Sequence, residues 1–297
     1  MNAISQASLH RHAFPALGGE IELLLEAVAA PSSSLWGEIE QLVAHLEDRL
    51  SRFRPESALS LLNATGSIHG QHELAEVVSL ALAARERTGG LFDPTVHDAL
   101  VEWGYDRSFA QLGPDHRPAP TPGPCGGEVE VELGTGTVRV APGVRLDLGG
   151  IAKGFIVDRA ADLLASAGAC LVNAAGDLAV QGTPAGTVWP IGVDTPGGST
   201  TLGLPYGGLA TSGVDRRRWR RGNIAAHHLI DPRTGAPSAS DLLRVTAAGA
   251  CAVDAEVNAK TLLLAGLDEA LQLADVGGIP TLLITRAGET YRAGGMT

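Results

Sequence analysis

The sequence predicts a fold that mixes helices with a sheet, and three observations carry the expectation. Residues 20–26 alternate, with Ile21, Leu23 and Leu25 on one side, the pattern of a half-buried strand. Ile156, Ala160, Leu163, Leu164 and Ala167 recur at helical spacing along one apolar stripe. Beyond Gly168 the chain turns strand-rich, with apolar runs at 171–173, 178–181 and 188–193. Its 297 residues, 44% of them hydrophobic, suffice for one large domain or two intimately packed ones.

After the first strand, Ser34 is placed to cap a helix that carries Leu35, Ile39, Leu42, Val43, Leu46 and Leu50 along one face and stops at SRFRPESAL. Phe53 in that stop is either a core plug or an aromatic wall for a ligand. Leu74, Val77, Val78 and Ala81 mark a second helix, closed by Gly89-Gly90. In LFDPTVHDALVEWGYD, residues 91–106, Asp93-Pro94 signals a turn or a helix start and Trp103-Gly104 ends a short helix. Five prolines between Pro114 and Pro124 read as a surface connector. Runs at 129–133 and 137–140 flank Gly134-Thr135-Gly136 as a hairpin.

That hairpin delivers the chain to RLDLGGIAKGFIVDRAADLLASAG, residues 145–168. It reads as a strand ending at Asp147, a Gly-rich turn, and an amphipathic helix from near Lys153 with Gly168 as a left-handed cap. Unpaired N–H groups at a helix start, glycines that admit close approach, and the charge of Lys153 fit a diphosphate, while Asp147 offers an acceptor to a ribose or a base edge. The plain alternative is a tight turn with a surface lysine. The spacing is neither GxGxxG nor GxxxxGK[ST].

Downstream, NAAGD (173–177) is a tight turn, and GLATSG precedes DRRRWRR (215–221). Five arginines around Trp219 suggest a nucleic-acid or phosphate patch, but in a short run of an acidic chain a solvated hairpin is preferred over a nucleic-acid site. His227 and His228 open a strand that breaks at Pro232, so they point to opposite faces and only one enters a given pocket. Either alone is an ordinary hydrogen-bonded histidine. Residues 254–265 form a helix whose Asp254 and Glu256 are dipole-favouring caps or oxygen ligands for a hard metal ion. A last hairpin joins 281–285 to the segment around Tyr291.

A formal net charge of −11 argues against a broad basic surface for nucleic acid and for a small-molecule ligand. Three widely spaced cysteines, Cys125, Cys170 and Cys251, suggest neither a disulfide framework nor a zinc site. The opening MNAISQASLHRHAF lacks the basic start and apolar core of a secretory signal, and no apolar run reaches the length of a membrane span. A cytoplasmic protein with no membrane insertion is the expectation.

Taken together, LFDPTVHDALVEWGYD, DLGGIAKGFIVD with LVNAAGDLAVQG, LATSG with HLIDPRTGAP, and the late helix preceded by VTAAGACAVDAE resemble the FAD:protein FMN transferase family, the ApbE-like flavin transferases. SRFRPESALSLLN adds a weaker match, and the resemblance runs from about Phe14 onward. It implies a single domain over 1–297 with an α+β, T-fold-like sheet core flanked by helices and an FAD cleft. It also implies Mg²⁺-assisted cleavage of the FAD diphosphate, with FMN transferred to a Thr or Ser in a short flavinylation motif of an acceptor protein and AMP released. By position, Leu17 and Phe53 would contact the flavin, Leu91, Phe92 and Asp93 the adenosine end, Asp147 and Lys153 the organising turn, and Ile230 the ligand. The Gly150 carbonyl and Glu256 would hold the metal. His228 would accept the proton of the incoming hydroxyl.

The chain departs from the family pattern in ways that bear on chemistry. The family's metal-binding Asp and, four residues on, Thr fall at Glu256 and Lys260, and an ammonium has no acceptor for a cation. A shift of two residues would instead offer Asp254 and Asn258, at the cost of the helix register. Leu17 replaces a Met, and Gly18-Gly19 a Gly-Thr pair. An FAD binder without transfer activity, or an enzyme hydrolysing FAD to FMN and AMP, are the alternatives these departures raise.

Overall fold

A computed structural model of the chain describes residues 7–121 and 123–296. Residues 1–6, on which part of the reading of the amino terminus rests, and Pro122 of the proline-rich connector lie outside the described residues. One antiparallel sheet of eight strands organises the fold, and its spatial order is the order of the chain. The strands are β1 (Ser8–Ala16), β2 (Gly19–Ala27), β3 (Ala169–Ala174), β4 (Asp177–Gln181), β5 (Gly207–Gly213), β6 (Leu242–Gly249), β7 (Thr281–Thr285) and β8 (Thr290–Ala293). Helices α1 (Ser33–Leu50), α2 (Ala58–Thr65), α3 (His72–Arg87), α4 (His97–Glu102) and α5 (Ala152–Leu164) are inserted between β2 and β3. Helices α6 (Ala252–Ala265) and α7 (Leu267–Gly277) are inserted between β6 and β7.

Period-two alternation divides the sheet residues between two faces. Ile21, Leu23, Leu25, Cys170, Val172, Ala174 and Ala179 bury against α1, α2, α3 and α5, while Ala210, Val245, Ala247 and Leu283 meet α6 and α7. Leu171, Leu178, Val180 and Leu209 point the other way, against a two-stranded ribbon of Trp189–Thr195 and Gly198–Leu204. The result is the α+β arrangement that the resemblance implies, with helices on one face and a ribbon on the other. Among the described residues no helix is long and apolar enough to cross a membrane.

Several local expectations are corrected. The strand ending at Asp147 does not form, because its backbone groups are satisfied singly: Asn63 donates to the Leu146 carbonyl and accepts the Leu146 N–H, each at 2.8 Å, and the Asp147 N–H donates to Pro94 at 2.7 Å. Gly168 does not cap α5, which ends at Leu164; it lets the chain pass β2, where a Cβ would stand 2.2 Å from the Glu26 carbonyl oxygen. Ser32 caps α1 in place of Ser34, its Oγ accepting the Leu35 N–H at 3.3 Å. The strand expected from His227 splits in two: Ile224–His227 pairs with Arg218–Arg221, and Ile230–Asp231 with Ala236–Pro237, leaving His228 and Leu229 between ladders.

Four elements carry too weak a pattern to be read from the chain. β1 is a half-buried edge strand without clean alternation, and α2 spans only eight residues after the break at Pro55. α7 buries only Ala270 and Ala274, and Gly198–Leu204 offers Leu202 and Leu204 alone to the core.

Candidate active site

Helices α5 and α6 meet at their first turns, where a Cβ on Gly154 would stand 2.7 Å from the Ala252 carbonyl oxygen. Glycine is therefore the residue that allows the contact. Each helix caps the other: Glu256 of α6 accepts the Gly154 N–H at 2.9 Å, and Asp158 of α5 accepts the Ala252 and Val253 N–H groups at 2.7 and 3.0 Å. The N–H groups of Ile151 and Ala152 donate to Leu148 at 3.1 and 2.8 Å. With the Ala152 and Gly154 N–H groups engaged within the protein, the start of α5 leaves the Lys153 N–H and the lining side chains to supply the attraction for an anion.

Those side chains line a cavity of about 520 Å³ above the paired helix starts. Arg52 forms an ion pair through Nε with Asp147 at 2.5 Å with both side chains 7% exposed, and its guanidinium lies 4.2 Å from the Phe53 ring centroid and 4.6 Å from that of Tyr105. Asp147 also accepts the Gly149 N–H at 2.8 Å, which sets the Gly-rich turn. Lys153 bridges Asp177 and Glu256, the latter at 3.0 Å. Six acids line the cavity, Glu22, Asp147, Asp177, Asp194, Asp215 and Glu256, and each is paired with a base. Of the six lining arginines and lysines, Arg52, Lys153, Arg216 and Arg244 are in those pairs. Arg217 and Lys260 have no carboxylate within 4.0 Å among the described residues.

Three further atoms of the lining residues want a partner. Arg52 Nη2, His228 Nδ1 and Asp215 Oδ1 are sealed from solvent with no hydrogen bond, a costly state for a buried polar atom. Burial drives the His228 pKa well below the usual histidine range, and the positive charges of Arg217 and Lys260 push the same way. His227 is occupied structurally: its Nε2–H donates to the Ser238 carbonyl at 3.1 Å and Nδ1 accepts the Leu229 N–H at 3.3 Å. Burial lowers its pKa to about 4. Burial raises the three free thiols, Cys125 and Cys170 to about 11 and Cys251 to about 12, so none is a thiolate at neutral pH.

Of the residues singled out from the sequence, Phe53, Asp147, Gly150, Lys153, His228 and Glu256 line this cavity together with Lys260. Leu91, Phe92 and Ile230 are core residues, with Phe92 1% exposed. Asp93 is buried, accepting the Thr95 N–H and hydroxyl at 2.8 and 2.7 Å and pairing with Arg85 at 3.0 Å. Leu17, at φ 56°, and Gly18, at φ 72°, form the two-residue turn between β1 and β2. That turn lies beside the cavity rim, because Gly19 approaches Ala175 of the NAAGD turn. Sequence reasoning missed Arg52, Tyr105, Asp177 and Arg217. Asp177 was hidden as the end of a turn and Arg217 within the arginine run.

The residues present do not fit a resident Mg²⁺. Such an ion takes near-octahedral oxygen ligands, yet both Glu256 oxygens are engaged by Lys153 and Gly154. The Lys260 ammonium lies against Gly150, whose Cβ would stand 2.8 Å from Nζ. Asp254 and Asn258, the other oxygen pair, line a separate cavity of about 860 Å³, where Asp254 pairs with Arg87 at 3.1 Å and Asn258 donates to Ala248 at 3.1 Å. Among the described residues no three His, Cys, Asp or Glu side chains converge as a metal cluster.

Comparison with known proteins places this α+β fold in a family. A profile described as the ApbE family matches residues 17–283, and the chain belongs to that family. The FAD:protein FMN transferase of Haemophilus influenzae is 27% identical over 293 residues, covering 89% of this chain and 82% of the relative. That of Vibrio cholerae is 27% identical over 292 residues, covering 92% and 85%. Among solved structures, the ApbE protein of Thermotoga maritima superposes with a TM-score of 0.82 at 25% identity, over 96% of this chain and 97% of its own. The flavin transferase ApbE of Vibrio cholerae gives 0.78 at 25% identity, over 98% of each chain.

Proposed function

We propose that this protein is an FAD:protein FMN transferase, which binds FAD in the charged cavity and transfers FMN to a Thr or Ser hydroxyl of an acceptor protein with release of AMP. The observation that carries the reading is the charge pattern of the lining: every acid is paired, while Arg217 and Lys260 lack an anion. A diphosphate supplies that anion, and the volume of about 520 Å³ lies in the range of small-molecule and cofactor sites. Phe53 and Tyr105, whose ring centroids lie 5.6 Å apart and both within 5 Å of the Arg52 guanidinium, offer the aromatic wall against which the flavin stacks.

In the reaction the acceptor oxygen attacks the phosphorus of the FMN half. An O–P bond forms to the hydroxyl oxygen, the P–O bond to the bridging oxygen breaks, and AMP leaves with that oxygen and its electron pair. His228 takes the hydroxyl proton. It is neutral in the free protein because burial and the neighbouring cations depress its pKa. The bound diphosphate adds negative charge beside it and raises its basicity. Arg217 and Lys153 face the charge that spreads over the phosphoryl oxygens, the term that dominates catalysis of phosphoryl transfer. No step here runs through a metal. Of the residues given to the ligand by resemblance, Leu17 belongs at the flavin rim. Phe92 backs the wall beside Gly150 and Lys260, while Leu91 lines the other cavity and Asp93 and Ile230 are buried away from the lining.

The acceptor is a protein segment carrying a short Thr/Ser motif, and the chain functions as one domain. Incubating the purified chain with FAD and such an acceptor, followed by intact-mass analysis, should show an acceptor gain equal to FMN less one water, as a phosphoester requires, and equimolar AMP. AMP without an adduct would replace transfer by hydrolysis. FAD bound with neither product would leave a binding protein.

A further inference from the structure

We propose that the Lys260 ammonium takes the charge-neutralising place of a divalent cation on the ligand's diphosphate, so that FAD binding by this chain needs no metal. The inference rests on the FAD reading above and concerns how the same cavity meets its ligand's charge.

Lys260 follows Glu256 by four residues on α6, so both side chains rise from one helix face into one place. Its Nζ lies against Gly150 of the Gly-rich turn and 5.2 Å from the centroid of the Phe92 ring, an arrangement that favours a cation. The residue is 8% exposed. Asp147, Glu256 and Asp93 draw on its charge from a distance, while burial lowers its pKa. None of the three reaches it, because Asp147 is held by Arg52 and Gly149, Glu256 by Lys153 and Gly154, and Asp93 by Arg85 and Thr95. A buried ammonium without an ion partner is a costly group to fold around. It is retained at the one spot where the Gly-rich turn comes close, and Gly150 leaves the space it fills.

A dication at this spot would stand beside the ammonium and would have to draw Glu256 away from Lys153 and from the start of α5. A phosphate oxygen there meets no such obstacle. It accepts from Nζ, holds the lysine charged, and leaves the caps and pairs of the floor intact. Lys260 donates hydrogen bonds and transfers no proton, so the bond changes of the transfer step are as given above.

The test is an equilibrium titration of FAD into the full chain, followed by flavin fluorescence, in excess EDTA and again in excess Mg²⁺. The native protein should differ by less than about threefold between the two. Lys260→Met should weaken FAD by roughly tenfold to a hundredfold in both, the range of a charge-assisted hydrogen bond. Lys260→Arg should keep most of the affinity. Met fills the stem volume without a charge, and a thermal melt of each variant confirms the fold. A native chain whose affinity collapses in EDTA and returns with Mg²⁺ overturns the inference, as does Lys260→Met binding like native. ADP, titrated in EDTA, carries the diphosphate without the flavin. EDTA-insensitive ADP binding that weakens in Lys260→Met keeps the role of Lys260 even where FAD itself fails to bind, which removes the transferase reading alone. A chain that binds neither nucleotide removes both.

Discussion

Replacing Asp158 by Ala tests the mutual capping on which the site stands. In the native protein its two oxygens accept the Ala252 and Val253 N–H groups at 2.7 and 3.0 Å, and the side chain is partly buried between α5 and α6. Alanine leaves both donors without a partner in a place that the packed helices keep from water. At about 1–3 kcal/mol for each unsatisfied group, the loss is about 2–5 kcal/mol once partial relaxation is allowed. For a chain of this size a kilocalorie corresponds to roughly 2 °C, so the melting temperature should fall by roughly 4–10 °C. Asp158→Asn keeps one oxygen and should lose about half as much. Because the start of α6 also aims Glu256 at Gly154 and Lys153, FAD affinity should fall with stability. Calorimetric melts with a parallel FAD titration read both. A variant that melts within about 1 °C of native and binds FAD equally well would refute the claim that these caps position the site.

Further outcomes follow from the same geometry. His228→Ala should spare FAD affinity and slow adduct formation by about 10²–10⁴, read by single-turnover mass analysis; lost binding with normal transfer per bound ligand would contradict its role as base. Arg52→Met strands the Asp147 carboxylate, 7% exposed, and should cost about 3–5 kcal/mol in denaturant unfolding, while the double change with Asp147→Asn recovers most of it. His227 has a pKa of about 4 in the fold against 6.5 for an ordinary histidine, so the unfolded chain takes up the proton first. Its contribution is complete above about pH 6.5 and falls away as pH drops toward about 4, by about 3 kcal/mol in all. His227→Gln should flatten that part of the stability profile.

Elements set by strong local pattern were legible in the chain: the alternation of β2 and the hairpin at 129–140 appear as read, and the stripe of α5 does as far as Leu164, with Ala167 exposed beyond the helix end. The turn at Gly149-Gly150 was legible too, and the facing of Glu256 and Lys260 into one cavity followed from the family resemblance, since spacing alone offered Asp254 and Asn258 equally. What the chain could not reveal are the partners that arrive from far along it. Arg52 meets Asp147 across α2, α3 and α4, and Glu256 reaches back to Gly154. Asp177 looks like any turn residue until Lys153 is seen beside it. Tertiary satisfaction also explains the failed strand at Asp147, whose backbone groups are claimed by Asn63 and Pro94. Leu91, Phe92, Asp93 and Ile230 show that position in a motif fixes the chain path without fixing which side chains reach the cavity.

The most direct measurement is a crystal structure of the chain with FAD bound in the presence of EDTA. The diphosphate should lie over Gly149 and Gly150 within hydrogen-bond reach of Lys260 Nζ and the Arg217 guanidinium, with the flavin against Phe53 and Tyr105. Density for the nucleotide in the other cavity, beside Asp254 and Asn258, or a diphosphate out of reach of Lys260, would contradict it.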